Sequence, residues 1–287
     1  MTDFGGAIKQ TDDFEAAIIG IPFDEKSCYL RGAAKGPQAI RAASTGRAIN
    51  PWTELGVSLE EDIALADVGD VNASGDFKKV FSRIEEAILK ILDNKAVPVI
   101  LGGDHSISYP VVKAFVRKYP SLDILHFDAH PDMYEELYGD RFSHACPFAR
   151  IMEEGLAQNL VQVGIRAATQ AQKTKAAKHG VRMIEMKDLD EKLLLKFANP
   201  LYISFDMDAL DPAFAPGVSH HEPGGLSTRQ AIGILHALEA EIVGLDVVEV
   251  NPERDPSGIT AAAAVKVIKE VVGKVAWQKK QRFKEEQ

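Results

Sequence analysis

The stretch "DILHFDAHPDMY", residues 123–134, joins a mostly apolar run directly to a cluster of ionisable side chains. The first five residues have the pattern of a short buried strand. Asp128, His130 and Asp132 follow at alternate positions, and side chains two apart in an extended backbone point to the same side. Two carboxylates and an imidazole gathered at one point are costly to bury without a compensating positive charge. The stretch therefore predicts a strand that ends at a cation-binding site.

Short runs with the same strand-like pattern recur along the whole chain. Eight are predicted as strands: residues 16–22, 63–69, 97–101, 123–127, 160–165, 181–185, 201–205 and 242–250. Most are continuously apolar, which is typical of a parallel sheet covered on both faces, and helical patterns lie between them. The order predicts a single three-layer α/β domain with a mostly parallel sheet of about eight strands. A closed eight-stranded barrel is the alternative architecture.

Several helices carry recognisable sequence signals. Apolar residues recur at three- and four-residue spacing over 77–92, which predicts an amphipathic helix. Ser227 followed by Gln230 predicts a capping box, and Pro37 is expected in the first turn of another helix. The last helical pattern passes into the charged segment 278–287, which we expect to fray.

Composition limits the classes of partner. The chain has 287 residues, a net charge of −9 and a pI near 5.4, which argues against nucleic acid or an anionic membrane as a general partner. The start is polar and acidic, and no apolar run approaches the ~20 residues of a membrane span. We therefore expect a cytoplasmic protein, with Cys28 and Cys146 as reduced thiols. Without a linker or repeat, residues 1–287 are predicted to be one domain with a short N-terminal lead and a charged C-terminal tail.

Polar side chains also follow three other predicted strands. His105 follows the third strand, Asp206 and Asp208 follow the seventh, and Glu249 lies near the end of the eighth. Because the carboxyl ends of parallel strands meet at one edge of a sheet, we expect these groups to converge with the 128–132 cluster in a single crevice.

The charge of this cluster indicates the kind of ligand. Asp128, Asp132, Asp206 and Asp208 together carry about −4 at neutral pH, which two divalent cations would offset. Ligands that are mostly oxygen, with one or two imidazoles and no thiolate, favour Mn²⁺ over a structural zinc site. A pair of such ions activates water as a nucleophile near neutral pH, so the pattern predicts a hydrolase.

The motifs "GGDHS", "DAHPD", "SFDMDALDPAFAPG" and "GLDVVEVNP" occur in this order, and with them the chain resembles the ureohydrolase family of arginases, agmatinases and their relatives. The resemblance covers most of the chain. It implies an arginase-like fold and a binuclear manganese enzyme that cleaves a guanidino group to urea and an amine. It implies two Mn²⁺ per chain, one held by His105, Asp128, Asp132 and Asp206, the other by His130, Asp128, Asp206 and Asp208.

The resemblance also implies roles for residues around the ions. Glu249 would hold the guanidinium group by paired hydrogen bonds, and His144, in "FSHACPF", would shuttle protons. Asp132 would pass a proton to the departing amine. Family members that resemble this chain form homo-trimers or homo-hexamers, so the same assembly is expected here.

Other ionisable residues are expected to have ordinary roles. Asp104 and Asp211 are interpreted as turn or supporting residues, and Cys146 as a packing residue. His220 and His221 border the expected site, but their spacing predicts no role as ligands.

The substrate is the open part of the hypothesis. The loop after Asp132 carries Glu135, Glu136 and Asp140 against Arg141, and an acidic mouth favours a tail that is uncharged or cationic, hence agmatine. Several motifs are nevertheless closer to plant-type arginases, so L-arginine is the first alternative, followed by guanidinobutyrate and guanidine. A non-catalytic metal-binding scaffold is a remote alternative, and a zinc deacetylase of related architecture would need fewer ligands.

Overall fold

The computed structural model of the protein describes residues 13–45, 50–190 and 193–285, with side chains to residue 281. The predicted N-terminal lead, residues 1–12, and the last two residues lie outside the described part. All eight predicted strands are present, with bounds that differ by a few residues from those expected. They are β1 (Ala16–Gly20), β2 (Leu65–Asp70), β3 (Val97–Leu101), β4 (Asp123–Phe127), β5 (Asn159–Ile165), β6 (Arg182–Glu185), β7 (Leu201–Asp206) and β8 (Ile242–Val248).

The strands form one open, all-parallel sheet. Its order is β2-β1-β3-β8-β7-β4-β5-β6, and every pairing between neighbours is parallel. Within the described part of the chain, β2 and β6 form the two edges and do not pair with each other. The predicted α/β sheet is therefore confirmed, and the alternative of a closed barrel is wrong.

Seven α-helices cover the sheet in the described ranges. They are α1 (Gly36–Ser44), α2 (Phe77–Asp93), α3 (Ser108–Val116), α4 (Pro147–Glu153), α5 (Gln170–Lys178), α6 (Thr228–Ala237) and α7 (Ile259–Glu285). The predicted signals are found in three of these helices. Pro37 lies in the first turn of α1, Ser227 and Gln230 form the capping box of α6, and the apolar residues of α2 are buried on one side.

The sheet separates two apolar cores, which explains why the strands lack alternation. Val99 and Leu101 of β3 point into the core beneath α1, α6 and α7, whereas Ile100 points into the core beneath α2, α3 and α4. Both faces of each central strand are thus buried, as expected for parallel strands between helical layers. These layers leave the ends of the strands as the place where polar side chains can gather.

The C-terminal segment differs from the prediction. Instead of fraying at the charged tail, α7 continues to Glu285. Gln278 Nε2 donates to the carbonyl of Ala240 at 2.6 Å, and Lys279 pairs with Glu15 at 3.1 Å, so tertiary contacts hold the first turns of the tail. No helix in the described ranges is both long enough and apolar enough to cross a membrane.

Candidate active site

The carboxyl ends of four adjacent strands, β3, β8, β7 and β4, meet beneath one cavity, which His130, Asp132, Asp206, Asp208 and Glu249 help to line. The cavity has a volume of about 200 Å³. The order of the sheet places these strands side by side although they come from distant parts of the chain. His105, Asp128, Asp206 and Glu249 lie at the last residue of their strands or within four residues after it. The structure therefore brings together the groups that the sequence predicted to converge.

The side chain of His105 points its Nδ1 atom at three carboxylates. Nδ1 lies 3.2 Å from Oδ2 of Asp128 and 3.1 Å from Oδ2 of both Asp132 and Asp206. It is fully buried and has no hydrogen-bond partner. Four ligand atoms that converge on one point, one of them an unsatisfied imidazole nitrogen, fit a divalent cation.

The opposite nitrogen of His105 explains why Nδ1 carries a lone pair. Ser204 Oγ lies 3.0 Å from Nε2 of His105 and donates its own proton to Oδ1 of Asp246 at 2.7 Å. Since the hydroxyl proton is used for Asp246, the contact requires Nε2–H of His105 as the donor. The resulting tautomer leaves Nδ1 unprotonated and directed at the carboxylates, as in metal-binding histidines.

A second group lies on the other side of Asp128. His130 Nδ1 is 3.0 Å from Oδ2 of Asp208 and 3.4 Å from Oδ1 of Asp128. Asp128 thus presents one oxygen to each histidine, which is the arrangement of a bridging carboxylate. Asp206 Oδ1 accepts the backbone N–H of Asp208 at 2.8 Å, so its predicted second bridge stays a prediction. His130, Asp128 and Asp208 form a candidate metal cluster by the mutual distances of their ligand atoms.

The electrostatics of the cluster show a need for positive charge. Burial and the neighbouring charges of Asp208 and Asp128 raise the pKa of Asp206 well above its usual range. Burial and the charge of Asp128 likewise raise the pKa of Asp208. Burial also acts on Asp128, but the charge of His126 and the hydrogen bonds from His126 and His130 outweigh it and hold its pKa well below the usual range. Like charges this close favour a bound cation.

Glu249 and His144 lie beside each other on the wall of the cavity. Glu249 Oε1 accepts the backbone N–H of His105 at 3.0 Å and lies 3.5 Å from Nδ1 of His144, whereas Oε2 is buried without a partner. Burial raises the pKa of Glu249, but the hydrogen bond and charge of His144 outweigh burial. The net pKa is lowered, so the carboxylate is ionised. Burial lowers the pKa of His144, but Cys28 and Glu249 raise it to about 11. The wall thus presents one free carboxylate oxygen beside an imidazole.

Two residues of the site adopt a left-handed backbone conformation. Asp132 has φ of 50° and Glu249 has φ of 62°. Such conformations are unfavourable for non-glycine residues and concentrate at functional sites, where the surrounding structure imposes them. In both cases the backbone turns the carboxylate into the cavity at the point where a strand or its following turn ends.

His126 is a site residue that the sequence analysis missed. Its Nε2 lies 2.8 Å from Oδ2 of Asp128, and its Nδ1 lies 3.0 Å from Nε2 of Gln162. The Gln162 amide also donates to the carbonyl of Pro131 at 2.7 Å, which fixes its orientation. Both ring nitrogens of His126 are therefore used, so it orients Asp128 and has no lone pair left for an ion. The signal was present, because His126 precedes Asp128 by two positions.

Arg166, at the end of β5, was also missed. Its guanidinium donates to the carbonyls of Gly164 and Asp208 at 3.0 and 2.7 Å, and to that of Glu222 at 2.8 Å. These bonds tie the loop that carries Asp208 to two neighbouring segments. The sequence offered no signal for this role, since an arginine after a strand is common.

The remaining predicted residues have local roles. Asp104 is buried and accepts the backbone N–H of Lys26 at 2.9 Å, and Asp211 accepts those of Gly224 and Gly225. Cys146 is buried in packing, as predicted. His221 Nε2 contacts the carbonyl of Pro216 at 2.7 Å.

His220, in contrast, lines the cavity with Cys28. Its ring stacks on that of His144, with centroids 5.3 Å apart. The sequence placed His220 at the border of the site, and the structure adds this contact with a predicted functional residue.

The loop acids, on which the prediction of an acidic mouth relied, lie elsewhere. Glu135 is paired with Arg141 and Lys175, and Asp140 is paired with Lys26 at 2.8 Å. Neither they nor Glu136 are among the described residues that line the cavity. The acidic surface that favoured a cationic substrate tail is thus largely neutralised and does not line the entrance.

Comparison with known proteins identifies related sequences and the same fold. The arginase family matches residues 14–273. Mitochondrial arginase 1 of Arabidopsis thaliana is 43% identical over 288 residues, which cover 95% of this chain and 83% of the relative. Mitochondrial agmatinase of Gallus gallus is 36% identical over 277 residues, 91% of this chain and 81% of the relative. The solved structure of arginase from Medicago truncatula superposes with a TM-score of 0.87 at 43% identity, covering 91% of this chain and 88% of that one.

The parallel sheet and the polar site at its carboxyl edge define a hydrolase with a candidate metal cluster of histidine and aspartate. The chain belongs to the arginase family, and it is a ureohydrolase, an enzyme that splits the C–N bonds of guanidino compounds.

Proposed function

We propose that this protein is a binuclear manganese enzyme that hydrolyses a guanidino group to urea and an amine. One ion would be held by His105, Asp128, Asp132 and Asp206, and the other by His130, Asp128, Asp206 and Asp208. The observation that carries the proposal is the buried Nδ1 of His105, which lacks a hydrogen-bond partner and faces three carboxylate oxygens at 3.1 to 3.2 Å. When bound, such an ion pair supplies Lewis acidity and activates water at neutral pH.

The residues of the cavity wall bind and orient the substrate. Glu249 Oε2 accepts an N–H of the planar guanidinium, while Oε1 remains bonded to the backbone of His105. A charge-assisted hydrogen bond of this kind holds the guanidinium carbon over the carboxylate cluster. The left-handed backbone at Glu249 directs the side chain into the cavity, and its burial limits competition from solvent.

Two other groups move protons. Asp132, only 6% exposed, lies at the floor of the cavity and passes a proton from the attacking water to the departing amine. His144, on the wall, exchanges protons with solvent, since its ring lies between Glu249 and the exposed Cys28. The sum of these steps adds water across the C–N bond, with the hydroxyl on the guanidino carbon and the proton on the amine.

We propose L-arginine as the preferred substrate and agmatine as the second candidate. L-Arginine is favoured because this chain is 43% identical to a plant arginase but 36% identical to an agmatinase. The pairing of Glu135 and Asp140 with cationic side chains removes the acidic mouth that had favoured agmatine. Agmatine is supported by one observation: the described lining of the cavity includes no lysine or arginine to pair with an α-carboxylate.

Urea release by manganese-loaded protein tests the proposal. L-Arginine, agmatine, 4-guanidinobutyrate and guanidine are compared by kcat/KM, with and without a chelator. We expect two Mn²⁺ per chain by elemental analysis, loss of activity to the chelator and a preference for L-arginine. A single bound zinc with full activity would contradict the two-metal assignment. A higher kcat/KM for agmatine would overturn the substrate, and turnover of guanidine alone would exclude a tail pocket. Inactivity on all four compounds would favour a non-catalytic scaffold.

Glu249→Gln provides the matched variant, because it keeps the shape of the side chain and removes its charge. We expect kcat/KM to fall roughly 10- to 100-fold with both ions still bound, since one hydrogen bond between charged groups is lost. Unchanged kcat/KM would exclude Glu249 as the guanidinium partner. The assembly as a homo-trimer or homo-hexamer stays a prediction, which sedimentation tests. The cytoplasmic location also stays a prediction, and fractionation of cells tests it.

A further inference from the structure

Three chain segments meet at the mouth of the cavity and bring a thiol close to two imidazoles. Cys28 follows β1 and is exposed, His144 lies before α4, and His220 lies on the loop before α6. Cys28 Sγ is 3.2 Å from Nε2 of His144, and the ligand atoms of all three residues lie within 4.8 Å of one another. None of the three belongs to the carboxylate cluster.

The contacts around this trio hold it in place. The backbone N–H of His144 donates to the carbonyl of Lys26 at 3.3 Å, and Ser219 Oγ donates to the carbonyl of Leu30 at 2.8 Å. Leu30 itself has a positive φ of 41°, a conformation that L side chains rarely adopt and that its surroundings must impose. The segments that carry the three side chains are thus bonded to each other on both sides of Cys28, as in a preformed site.

The chemistry of the trio differs from that of the carboxylate cluster. Sulfur and imidazole nitrogen are the donors that Zn²⁺ and Cd²⁺ prefer, whereas Mn²⁺ prefers carboxylate oxygen. In a tetrahedral zinc site, bonds of about 2.3 Å to sulfur and 2.0–2.1 Å to nitrogen place the two donors roughly 3.5 Å apart. The 3.2 Å between Cys28 Sγ and His144 Nε2 is close to this value.

We propose that Cys28, His144 and His220 form a third metal site, selective for Zn²⁺ or another thiophilic divalent ion, which inhibits the enzyme when occupied. Binding releases the thiol proton of Cys28 and the Nε2 proton of His144 to solvent, and the thiolate and the two imidazole nitrogens then donate to the ion, with water as the fourth ligand. Glu249, 3.5 Å from Nδ1 of His144, supports the ligating ring from behind, as carboxylates do at zinc-bound histidines.

The inhibitory part rests on the proposed function, because it follows from the role of His144 in proton transfer. An ion on Nε2 takes the place of the proton that the ring of His144 exchanges with solvent. It also lies at the mouth of a cavity of about 200 Å³, where it narrows the path of the substrate. The binding part does not depend on the reaction, since it requires only the three side chains.

The test uses full-length, manganese-loaded protein titrated with Cd²⁺, whose bond to a thiolate gives an ultraviolet charge-transfer band. We expect one equivalent of Cd²⁺ to produce the band in the wild type and in Cys146→Ala, the matched control for the buried thiol. Cys28→Ala should lose the band. No band in the wild type, or a band that survives Cys28→Ala, would overturn the site, whether or not the protein releases urea.

The contribution of the imidazoles is measured with Zn²⁺ in competition with a chromophoric chelator. His220→Asn is expected to weaken binding at this site by about tenfold or more, since even the loss of a residue that only supports a ligand costs ~10–100-fold. Unchanged affinity would exclude His220 as a ligand. Circular dichroism and Tm establish that each variant is folded before it is titrated.

Inhibition is tested by the ratio of urea release with and without Zn²⁺, taken for each variant relative to its own uninhibited rate. We expect Cys28→Ala to require at least about tenfold more Zn²⁺ for half-inhibition than the wild type and Cys146→Ala. If all three proteins are equally sensitive to Zn²⁺, zinc inhibits at the carboxylate cluster, and the inhibitory role of the Cys28 site is overturned. Binding of an ion at Cys28 is decided separately by the Cd²⁺ band.

Discussion

Ser204 Oγ lies 3.0 Å from Nε2 of His105 and fixes the tautomer that turns the other ring nitrogen toward the carboxylates. The hydroxyl can do this because its own proton is committed to Asp246, which is completely buried. Asp246 also accepts hydroxyl protons from Ser108, at 2.6 Å, and from Tyr202. A buried anion with three hydroxyl donors therefore underlies the floor of the site and sets the orientation of a proposed ligand that it does not touch.

This relationship predicts the effect of Ser204→Ala. Without the hydroxyl, the tautomer and ring angle of His105 are no longer enforced, so we expect manganese affinity to fall roughly 10- to 100-fold. The measurement is metal content after dialysis at a series of Mn²⁺ concentrations. Ser204→Thr retains the hydroxyl and serves as the control. Equal affinity in the alanine variant would show that packing alone orients His105.

Asp128→Ala is expected to abolish turnover. Asp128 faces His105 with one oxygen, at 3.2 Å, and His130 with the other, at 3.4 Å, so its removal takes a ligand from both proposed ions. We expect kcat/KM to fall by about a thousandfold or more, since metal activation contributes several kcal/mol. Asp93→Ala, which removes an exposed carboxylate at the end of α2 that pairs with Lys118, should retain both ions and the rate. Two tightly bound Mn²⁺ in the Asp128 variant would contradict the assignment.

Glycines 103 and 233 provide a matched pair for stability. A Cβ on Gly103 would lie 1.9 Å from the carbonyl oxygen of Phe23, and that backbone cannot move without disturbing its bond from Asp104. We expect Gly103→Ala to lower the free energy of unfolding by about 2–4 kcal/mol. A Cβ on Gly233, in α6, meets nothing within 4 Å. Gly233→Ala should therefore raise stability by about 0.5–1 kcal/mol. Denaturant unfolding measures both, and similar effects for the two variants would contradict the packing argument.

Lys274 predicts a pH-dependent stability. Burial lowers its pKa from 10.5 to about 8, so the folded protein pays for a buried charge below pH 8. Between pH 8 and 10.5 the unfolded state binds more protons than the folded state, and stability gained through this residue rises with pH. Lys274→Met should raise the free energy of unfolding most below pH 8, by on the order of 1 kcal/mol, with a gain that shrinks toward pH 10.5. If the stability gained by Lys274→Met does not vary with pH, the effect comes from packing alone.

The strands were predictable because each is a short apolar run buried on both faces. Their order was not, since β7 and β8 insert between β3 and β4 through pairings between distant residues, Asp123 with Leu201 and Val99 with Leu245. For the same reason the sequence left an open sheet and a barrel as alternatives. The position of the site was predictable nonetheless, because polar residues at the carboxyl ends of parallel strands share one edge in either architecture.

The residues that the sequence analysis missed lie within strands or have roles that depend on partners distant in sequence. Ser204 and Asp246 are polar residues within apolar strands, a pattern that signals a buried network but does not identify its partners. The interpretation of the loop with Glu135 and Asp140 as an acidic mouth failed because the partners of these residues are distant in sequence. Lys175, which neutralises Glu135, is 40 positions away, and no local pattern reveals that contact.

The position of β8 has a consequence for the order in which the protein matures. This strand, Ile242–Val248, is made last but lies at the centre of the sheet, between β3 and β7. While the ribosome is still producing it, β3 and β7 each have one unpaired edge in the nascent chain, and Glu249 is missing. The aspartates at the ends of β4 and β7 can already come together, because these two strands pair directly, but His105 at the end of β3 is still separated from them. The complete proposed metal site is therefore expected to form only once β8 is in place, and chains truncated before β8 would expose strand edges prone to aggregation.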